Sequence, residues 1–390
     1  MTKDNNTRIL MVVHSYFPKD IRVIRYVGIL NEMNIPVDVI CIGEEGDKTQ
    51  QPFFQGEIIR KILPKKRSGK LRYIYEYLVF WLFAKKKINL LISKYHYTAI
   101  HVHTLPDFLV FTARRARKKG ITIILDLHEV LPEFYSVKFN VKVNGFIFKL
   151  LKFIERKSVN YADFAITVTS SLQKLIGSRT QPKNDLILIM NTVDKELHRK
   201  REFMPHEGFN LFYTGTVLEI SNLDLIIKAL ANIDNPNIAF HIVGTGPQLQ
   251  KLKALTRELN LENRVFLYGQ VQHSVVPDLL SICDAGVIPQ KRNIFTDMSF
   301  ANKLAEFVFH EIPVIATELT STKDYFRDIS VCFTESGSIE SMQAAIEKLY
   351  SSPETCKKLC INALEDYQAI EWEVMKDRYK ELIKKIIQNK

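Results

Sequence analysis

Apolar and polar positions follow a repeating order along this chain: a short β-branched run, a polar turn, then apolar residues at helical spacing. Residues 8–13 (RILMVV) read as a strand, Val23, Val27, Ile29 and Leu30 as one face of a helix, and 36–42 (PVDVICI) as a second strand closed by Gly43. Such a strand–helix–strand unit predicts the start of a parallel sheet. The rhythm continues with AIHVHT (99–104), a helix over 107–120 stopped by Gly120, and ITIILDLHEV (121–130). A helix over 146–159, the strand FAITVT (164–169), a helix from Ser170 and the strand LILIMN (186–191) complete the first half. Residues 60–95 interrupt it with a helix that is apolar nearly all round, so at least half of it must be buried in protein.

The stretch 194–209 (DKELHRKREFMPHEGF) is polar without periodicity and reads as a linker. The alternation then restarts. FNLFYTG (209–215), IAFHIVG (238–244), RVFLYG (264–269), AGVIP (285–289) and VCFT (331–334) read as strands, with helices over 223–230, to Leu259, and over 275–283 between them. Residues 297–317 read as a helix capped by Ser299, with Lys303, Leu304, Phe307 and Val308 on one stripe, followed by the buried strand Pro313-Val314-Ile315-Ala316. The expected fold class is α/β: two doubly wound Rossmann-like domains, 1–195 and 196–370, facing a central cleft. A long basic helix at 371–390 follows, for which packing back on the first domain is one option.

The 390 residues suffice for two domains with full cores, and 46% hydrophobic with 25% charged residues is the composition of a soluble globular protein. No apolar run reaches the roughly 18 residues that cross a bilayer, and the polar N-terminus does not read as a signal peptide. Five scattered cysteines, with no Cys/His cluster at metal-ligand spacing, read as free thiols in a reducing compartment. The formal charge of +11 is uneven. Residues 60–120 hold sixteen Lys/Arg against Glu76 and Asp107, which implies an anionic partner there. Within it, six aromatics between Tyr73 and Phe83 lie between Lys65-Lys66-Arg67 and Lys85-Lys86-Lys87. An interfacial element on anionic lipid and a core helix with solvated basic ends both fit that pattern. No nucleic-acid module is recognisable, so no nucleic-acid partner is expected.

Candidate chemistry sits at the carboxyl ends of the strands, where open α/β sheets bind ligands. In the first domain these positions hold His14, Asp20, Arg22, His103, Asp107, His128 and Glu129, with Asp126 and Glu133 crowding His128. In the second they hold Gly215-Thr216 and Gly244-Thr245-Gly246-Pro247, where glycine lets backbone approach a ligand and also serves an ordinary strand-to-helix turn. Lys303 is the informative residue. The helix dipole disfavours a cation in the first turn, and an anion bound at that tip reverses the sign. With Asn302 and Glu306 sharing a face, tip and carboxylate together suggest a phosphorylated, hydroxyl-bearing ligand; a solvated lysine and a surface glutamate are the alternative. No Ser-His-Asp arrangement, nucleophile elbow or Walker loop is present, which counts against acyl hydrolysis and phosphoryl transfer.

These blocks resemble, over nearly the whole chain, the GT-B retaining glycosyltransferases of family 4, in particular a bacterial exopolysaccharide and capsule subgroup. The resemblance rests on His14-Ser15-Tyr16-Phe17-Pro18 with Asp20 and Arg22, His101-Val102-His103 with Pro106-Asp107, and Asp126-Leu127-His128-Glu129. In the second half it rests on Tyr213-Thr214-Gly215, Gly244 to Pro247, and above all Asn302-Lys303-Leu304-Ala305-Glu306-Phe307. It implies a hexosyltransferase-type enzyme taking a UDP- or GDP-sugar and a saccharide or polyprenyl-linked acceptor. Glu306 would bind the ribose hydroxyls. Asn302 and Lys303 would lie beneath the diphosphate, with Gly215 and Thr216 near it, and Gly244, Gly246 and Pro247 would border the nucleotide. His128 would face the sugar, and His14, Asp20, Arg22, His103, Asp107 and Glu129 would line the acceptor side. It also implies no required metal or cofactor, and a cytoplasmic enzyme on the inner membrane face, held by residues 60–120. Met298 stands where the family's first motif glutamate falls. Glu219 replaces its phosphate cation, so Lys291, Arg292 or Lys303 must neutralise the donor. His310-Glu311 replaces its glycine. A nucleotide-sugar 2-epimerase and a non-catalytic membrane adaptor are the rival readings.

Overall fold

Eight strands run through the first half: β1 (Ile9–Tyr16), β2 (Val37–Gly43), β3 (Gln50–Phe53), β4 (Gly56–Ile62), β5 (Ala99–His103), β6 (Thr122–Leu127), β7 (Phe164–Thr167) and β8 (Ile187–Leu188). They form one sheet in the order β3-β4-β2-β1-β5-β6-β7-β8, parallel except for β3. The computed structural model describes residues 7–64, 69–196 and 198–389. The Lys65-Lys66-Arg67 cluster lies outside the described residues. Strand β2 is buried at every position and β1 at all but its last two, which is why both read as continuous apolar runs.

The second sheet comprises β9 (Phe209–Thr214), β10 (Ile238–Val243), β11 (Val265–Gly269), β12 (Ala285–Ile288), β13 (Val314–Thr317) and β14 (Cys332–Thr334). Its order is β11-β10-β9-β12-β13-β14, and its pairs are parallel. In both sheets the first strand lies inside and the order reverses beside it, the doubly wound pattern expected from the alternation. The chain divides into two compact units, residues 1–190 with 375–390, and residues 191–374. In the first unit, the C-terminal helix segment pairs Lys376 and Lys380 with Glu32 at 2.8 and 3.0 Å, and its Tyr379 hydroxyl lies 3.1 Å from His101 Nδ1.

Several elements differ from the sequence reading. The β3–β4 hairpin was not expected, because Gln50, Gln51 and Arg60 interrupt its apolar pattern; a Cβ at Gly56 would come 1.9 Å from the Val37 carbonyl oxygen. The helix expected over 107–120 is a 3-10 turn at Asp107–Ala113 followed by a short α-helix, Arg114–Lys118. A helix not foreseen, Leu131–Phe139, has Pro132 near its start and Glu133 in its first turn, both recognised start signals. The helix expected over 275–283 is two short turns, and LILIMN pairs only through Ile187–Leu188.

Glu133, expected beside His128, is engaged by Arg179. Its carboxylate accepts two bonds from Arg179, at 2.8 and 3.2 Å, and Arg179 also binds the buried Glu155. One guanidinium thus neutralises two carboxylates inside the unit. Arg179→Ala leaves both unneutralised and is expected to cost about 3–5 kcal/mol, read as a lower urea midpoint with unchanged slope.

Candidate functional site

In the first unit one carboxylate organises the site. Strands β5 and β6 pair with His103 opposite Asp126, and the two-residue period puts His101 and His103 on one side of β5 and Asp126 and His128 on one side at the end of β6. Asp126 Oδ2 lies 3.0 Å from His103 Nδ1, 3.1 Å from His128 Nε2 and 3.7 Å from His101 Nε2. An ionised carboxylate only accepts, so His103 carries its proton on Nδ1 and His128 on Nε2. His128 Nδ1 is then a bare acceptor, buried and without a hydrogen-bond partner among the described residues. The His128 amide donates to Thr104 Oγ1 at 3.1 Å, which fixes the residue beyond its strand.

Burial sets the charge state here. It lowers the pKa of all three histidines, that of His103 to about 3, so the rings are neutral. Burial raises Asp126 to about 6, against the opposing pull of His101 and Arg22. Asp20 caps the helix Ile21–Glu32 and accepts from Ser15 Oγ at 2.6 Å and from the Arg22 amide at 3.2 Å. Burial would raise Asp20, but Arg22 and these bonds hold it below the ordinary value. Burial raises Glu129, opposed by Arg22 and Lys138. Asp20, Arg22, His103, His128 and Glu129 therefore form one electrostatic group.

Two acceptor-side candidates stand outside that group. His14 is wedged against Tyr77 and Phe80 of the helix Gly69–Lys94, with ring centroids at 4.9 and 5.2 Å. Asp107 is fully buried, neither oxygen has a hydrogen-bond partner among the described residues, and its charged neighbours are Glu155 and Arg179. Burial pushes its pKa well up, against the pull of Arg179, and sets this acceptor-side candidate in the interior of the unit.

In the second unit the two glycine turns pack on each other. Gly215 has φ +137°, and a Cβ there would come 3.3 Å from Lys303 Cε and 3.4 Å from the Tyr213 hydroxyl. Gly215 thus leaves room for the Lys303 side chain. At Gly244 a Cβ would strike the Gly215 carbonyl oxygen at 1.8 Å, and at Gly246 the Val217 carbonyl oxygen at 2.3 Å. Those two glycines are demanded by backbone contact between turns, reinforced by Val217 N–H donating to the Thr245 carbonyl at 3.0 Å. Thr216 and Pro247 lie on the same pair of turns.

The helix at 297–317 begins later than Ser299 suggests. It spans Asn302–Phe309 with Ala301 at its N-cap and no side-chain cap bond. Ser299 instead ends a 3-10 turn, Thr296–Met298, and its carbonyl accepts from Ser321 Oγ at 2.9 Å. Lys303 is in the first helical turn as expected, and its Nζ donates to both Glu306 oxygens at 3.1 and 3.0 Å. Glu306 also borders a cavity of about 550 Å³ with Val193, His198, Arg199, Ser274 to Asp278, Phe309 and His310. Lys291 and Arg292, the other candidate cations, face carboxylates: Lys291 pairs with Glu219 at 3.2 Å and Arg292 with Asp297 at 3.3 Å. A cation does stand beside Glu219, supplied by a residue distant in sequence. Glu311 takes the left-handed conformation (φ +56°) that glycine would favour, and pairs with Lys200.

The carboxylate that organises the first half-site was read as a neighbour of His128 rather than as a site residue, and Tyr26 and Tyr379 were missed. The Tyr26 ring packs 5.1 Å from His101 and 4.4 Å from Tyr379. Strand parity and register carried the signal for Asp126; nothing local marked Tyr379. The trio His101, His103 and Asp126 was not identified as a possible ligand set, yet its potential metal-ligating atoms all lie within 4.8 Å of one another.

Two family models match. "Glycosyltransferase Family 4" covers residues 22–197 and "Glycosyl transferases group 1" covers residues 194–366. The chain is 23% identical over 292 residues to EpsD of Bacillus subtilis, named as a glycosyltransferase, covering 70% of this chain and 73% of that protein. It is 24% identical over 240 residues to TuaH of the same organism, named for glycosyl transfer in teichuronic acid biosynthesis, covering 58% and 59%. The crystal structure of Anabaena HepE in complex with UDP superposes with a TM-score of 0.71 at 15% identity, covering 97% of this chain and 100% of that one. With the Family 4 model on the sheet that carries His128 and the group 1 model on the sheet that carries Lys303 and Glu306, the chain belongs to the GT-B glycosyltransferases of the family 4 type.

Proposed function

We propose that this glycosyltransferase moves a hexosyl group from a UDP- or GDP-sugar to a hydroxyl of a saccharide or polyprenyl-linked acceptor, with retention at the anomeric carbon, in the assembly of a bacterial cell-surface polysaccharide. The observation that carries the reading is the Lys303–Glu306 pair at the start of the helix Asn302–Phe309, beside Gly215 and on the rim of a cavity. A cation for phosphate and a carboxylate for a diol stand one turn apart, which suits the diphosphate and ribose of a nucleotide. The names of TuaH and of the UDP-bound HepE structure support the polysaccharide context and the donor class.

In this reading the bond between the anomeric carbon and the diphosphate oxygen breaks as the acceptor oxygen bonds to the same face of that carbon. The acceptor's proton passes to the departing diphosphate. Lys303 and the helix tip stabilise the charge developing there, and Glu306 holds the ribose. His128, its proton held on Nε2 by Asp126, offers Nδ1 as an acceptor for a sugar hydroxyl. No metal takes part, nucleic acid is not a partner, and the enzyme works peripherally on the inner face of the membrane, attached through residues 60–120. Among the described residues no helix is long and apolar enough to cross a membrane.

Calorimetry with UDP-, GDP- and ADP-sugars, followed by product analysis with and without acceptor, tests this. Binding of a UDP- or GDP-sugar and a retained linkage are expected, with turnover unchanged after EDTA. Epimerised donor in the absence of acceptor establishes the epimerase instead, and no binding of any nucleotide leaves the adaptor. Loss of activity on chelation points to the His101–His103–Asp126 trio.

A further inference from the structure

The helix Phe146–Tyr161 is apolar on the side that faces water. Phe148, Glu155, Ser158 and Val159 are buried, while Phe146 (82% exposed), Ile147 (52%), Leu150 (45%) and Phe153 (48%) form an outward row at helical spacing. Lys149, Lys152, Arg156 and Lys157 flank that row. The helix carries one acid, Glu155, and it is buried in the Arg179 pair. Beside the row lies a groove of about 550 Å³ walled by Phe108, Phe111, Phe153 and Tyr161, with Arg117 and Lys157 also lining it. Ile74, Leu78 and Leu82 are also exposed, on the helix Gly69–Lys94, whose Tyr73 ring is 5.6 Å from Phe139 of the helix Leu131–Phe139.

We propose that the helix Phe146–Tyr161 seats the enzyme on an anionic lipid bilayer, with its Phe146–Phe153 row among acyl chains and its four cations on headgroup phosphates. This deepens the membrane attachment in the function proposed above, on which it rests, by placing insertion outside residues 60–120. An apolar row edged by lysine and arginine suits an interfacial helix. Protein interfaces deplete lysine at their core, and a symmetric contact with a second copy would set these cations against their own equivalents.

The test is co-sedimentation of the full chain with phosphatidylcholine vesicles, with and without phosphatidylglycerol. Phe146→Asp combined with Leu150→Asp is expected to weaken partition onto the anionic vesicles about tenfold or more. Lys149→Glu combined with Lys152→Glu is expected to weaken it about fivefold for each cation removed. Phe146→Ser, at the most exposed position, should lower partition in the same direction and keeps the test open if a double variant misfolds. Turnover of a water-soluble acceptor should be unchanged in all three. Variants that sediment with anionic vesicles as the wild type does, or a wild type that does not distinguish them from neutral vesicles, overturn the insertion while leaving glycosyl transfer standing. Vesicle binding lost in the variants of a protein that transfers no sugar removes the proposed function and leaves the insertion.

Discussion

Glu306→Ala is expected to lower turnover by about a thousandfold or more, because it removes donor positioning and takes from the Lys303 charge the carboxylate that pairs with it. Uridine diphosphate affinity should fall about tenfold to a hundredfold, as expected when charge-assisted bonds to two ribose hydroxyls are lost. Glu306→Gln separates the two roles. Its amide can still meet a diol but cannot hold an ammonium, so binding should recover more than rate. The measurements are kcat and KM for donor alongside calorimetry on the same preparations. Kinetics indistinguishable from wild type in the alanine variant would remove Glu306 from the donor site.

Asp126→Asn should separate stability from activity. The Asp126 carboxyl is fully buried with a pKa raised to about 6, so between its unfolded value near 3.8 and about 6 the folded state holds more protons than the unfolded one. Its stabilising contribution is therefore complete below about pH 4 and is lost as pH rises through about 6. Asparagine avoids that loss. At pH 8 the variant should be as stable as the wild type or more so, by about 1–3 kcal/mol. Turnover should nevertheless fall about a hundredfold to a thousandfold, since a neutral amide holds the His103 and His128 tautomers less firmly and brings no negative charge to the site. The wild-type rate should rise with pH along a limb centred near 6. Burial lowers all three histidines, His103 to about 3, so the limb is assigned to Asp126 and should be missing from the variant. A melting temperature that drops by many degrees at pH 8, with the limb intact, would contradict this assignment.

The two sheets were legible because most of their strands are buried on both faces and read as apolar runs, as β2 does throughout. The elements that escaped are those whose polar residues are satisfied at a distance. Arg60 interrupts β4 in sequence, yet its guanidinium donates to the carbonyls of Lys48 and Phe17 and to Gln51 Oε1. Asp38 sits inside β2 because Arg8 reaches it at 2.6 Å and Tyr97 donates to it. No local rule anticipates either. The candidate site divides in the same way. Lys303 was conspicuous because it broke a rule within one helical turn. Asp126 became an organiser only once strand register brought β5 beside β6, and Lys291 met Glu219 only through the fold. Position 311 shows the converse. Glycine was missed there as a departure from the family pattern, and the structure shows a glutamate held in the same left-handed turn.

The three cations expected to serve the donor each face a carboxylate: Lys291 with Glu219, Arg292 with Asp297 and Lys303 with Glu306. Bare inorganic phosphate or pyrophosphate therefore meets a surface already neutralised, and must displace an acid without offering it anything in return. In the donor site proposed above, a nucleoside diphosphate would present hydroxyls to Glu306 while it presents charge to Lys303, so both halves of that pair would gain a new partner together. On the proposed donor site, the pairing would act as a filter that favours the whole nucleotide over its charged fragments.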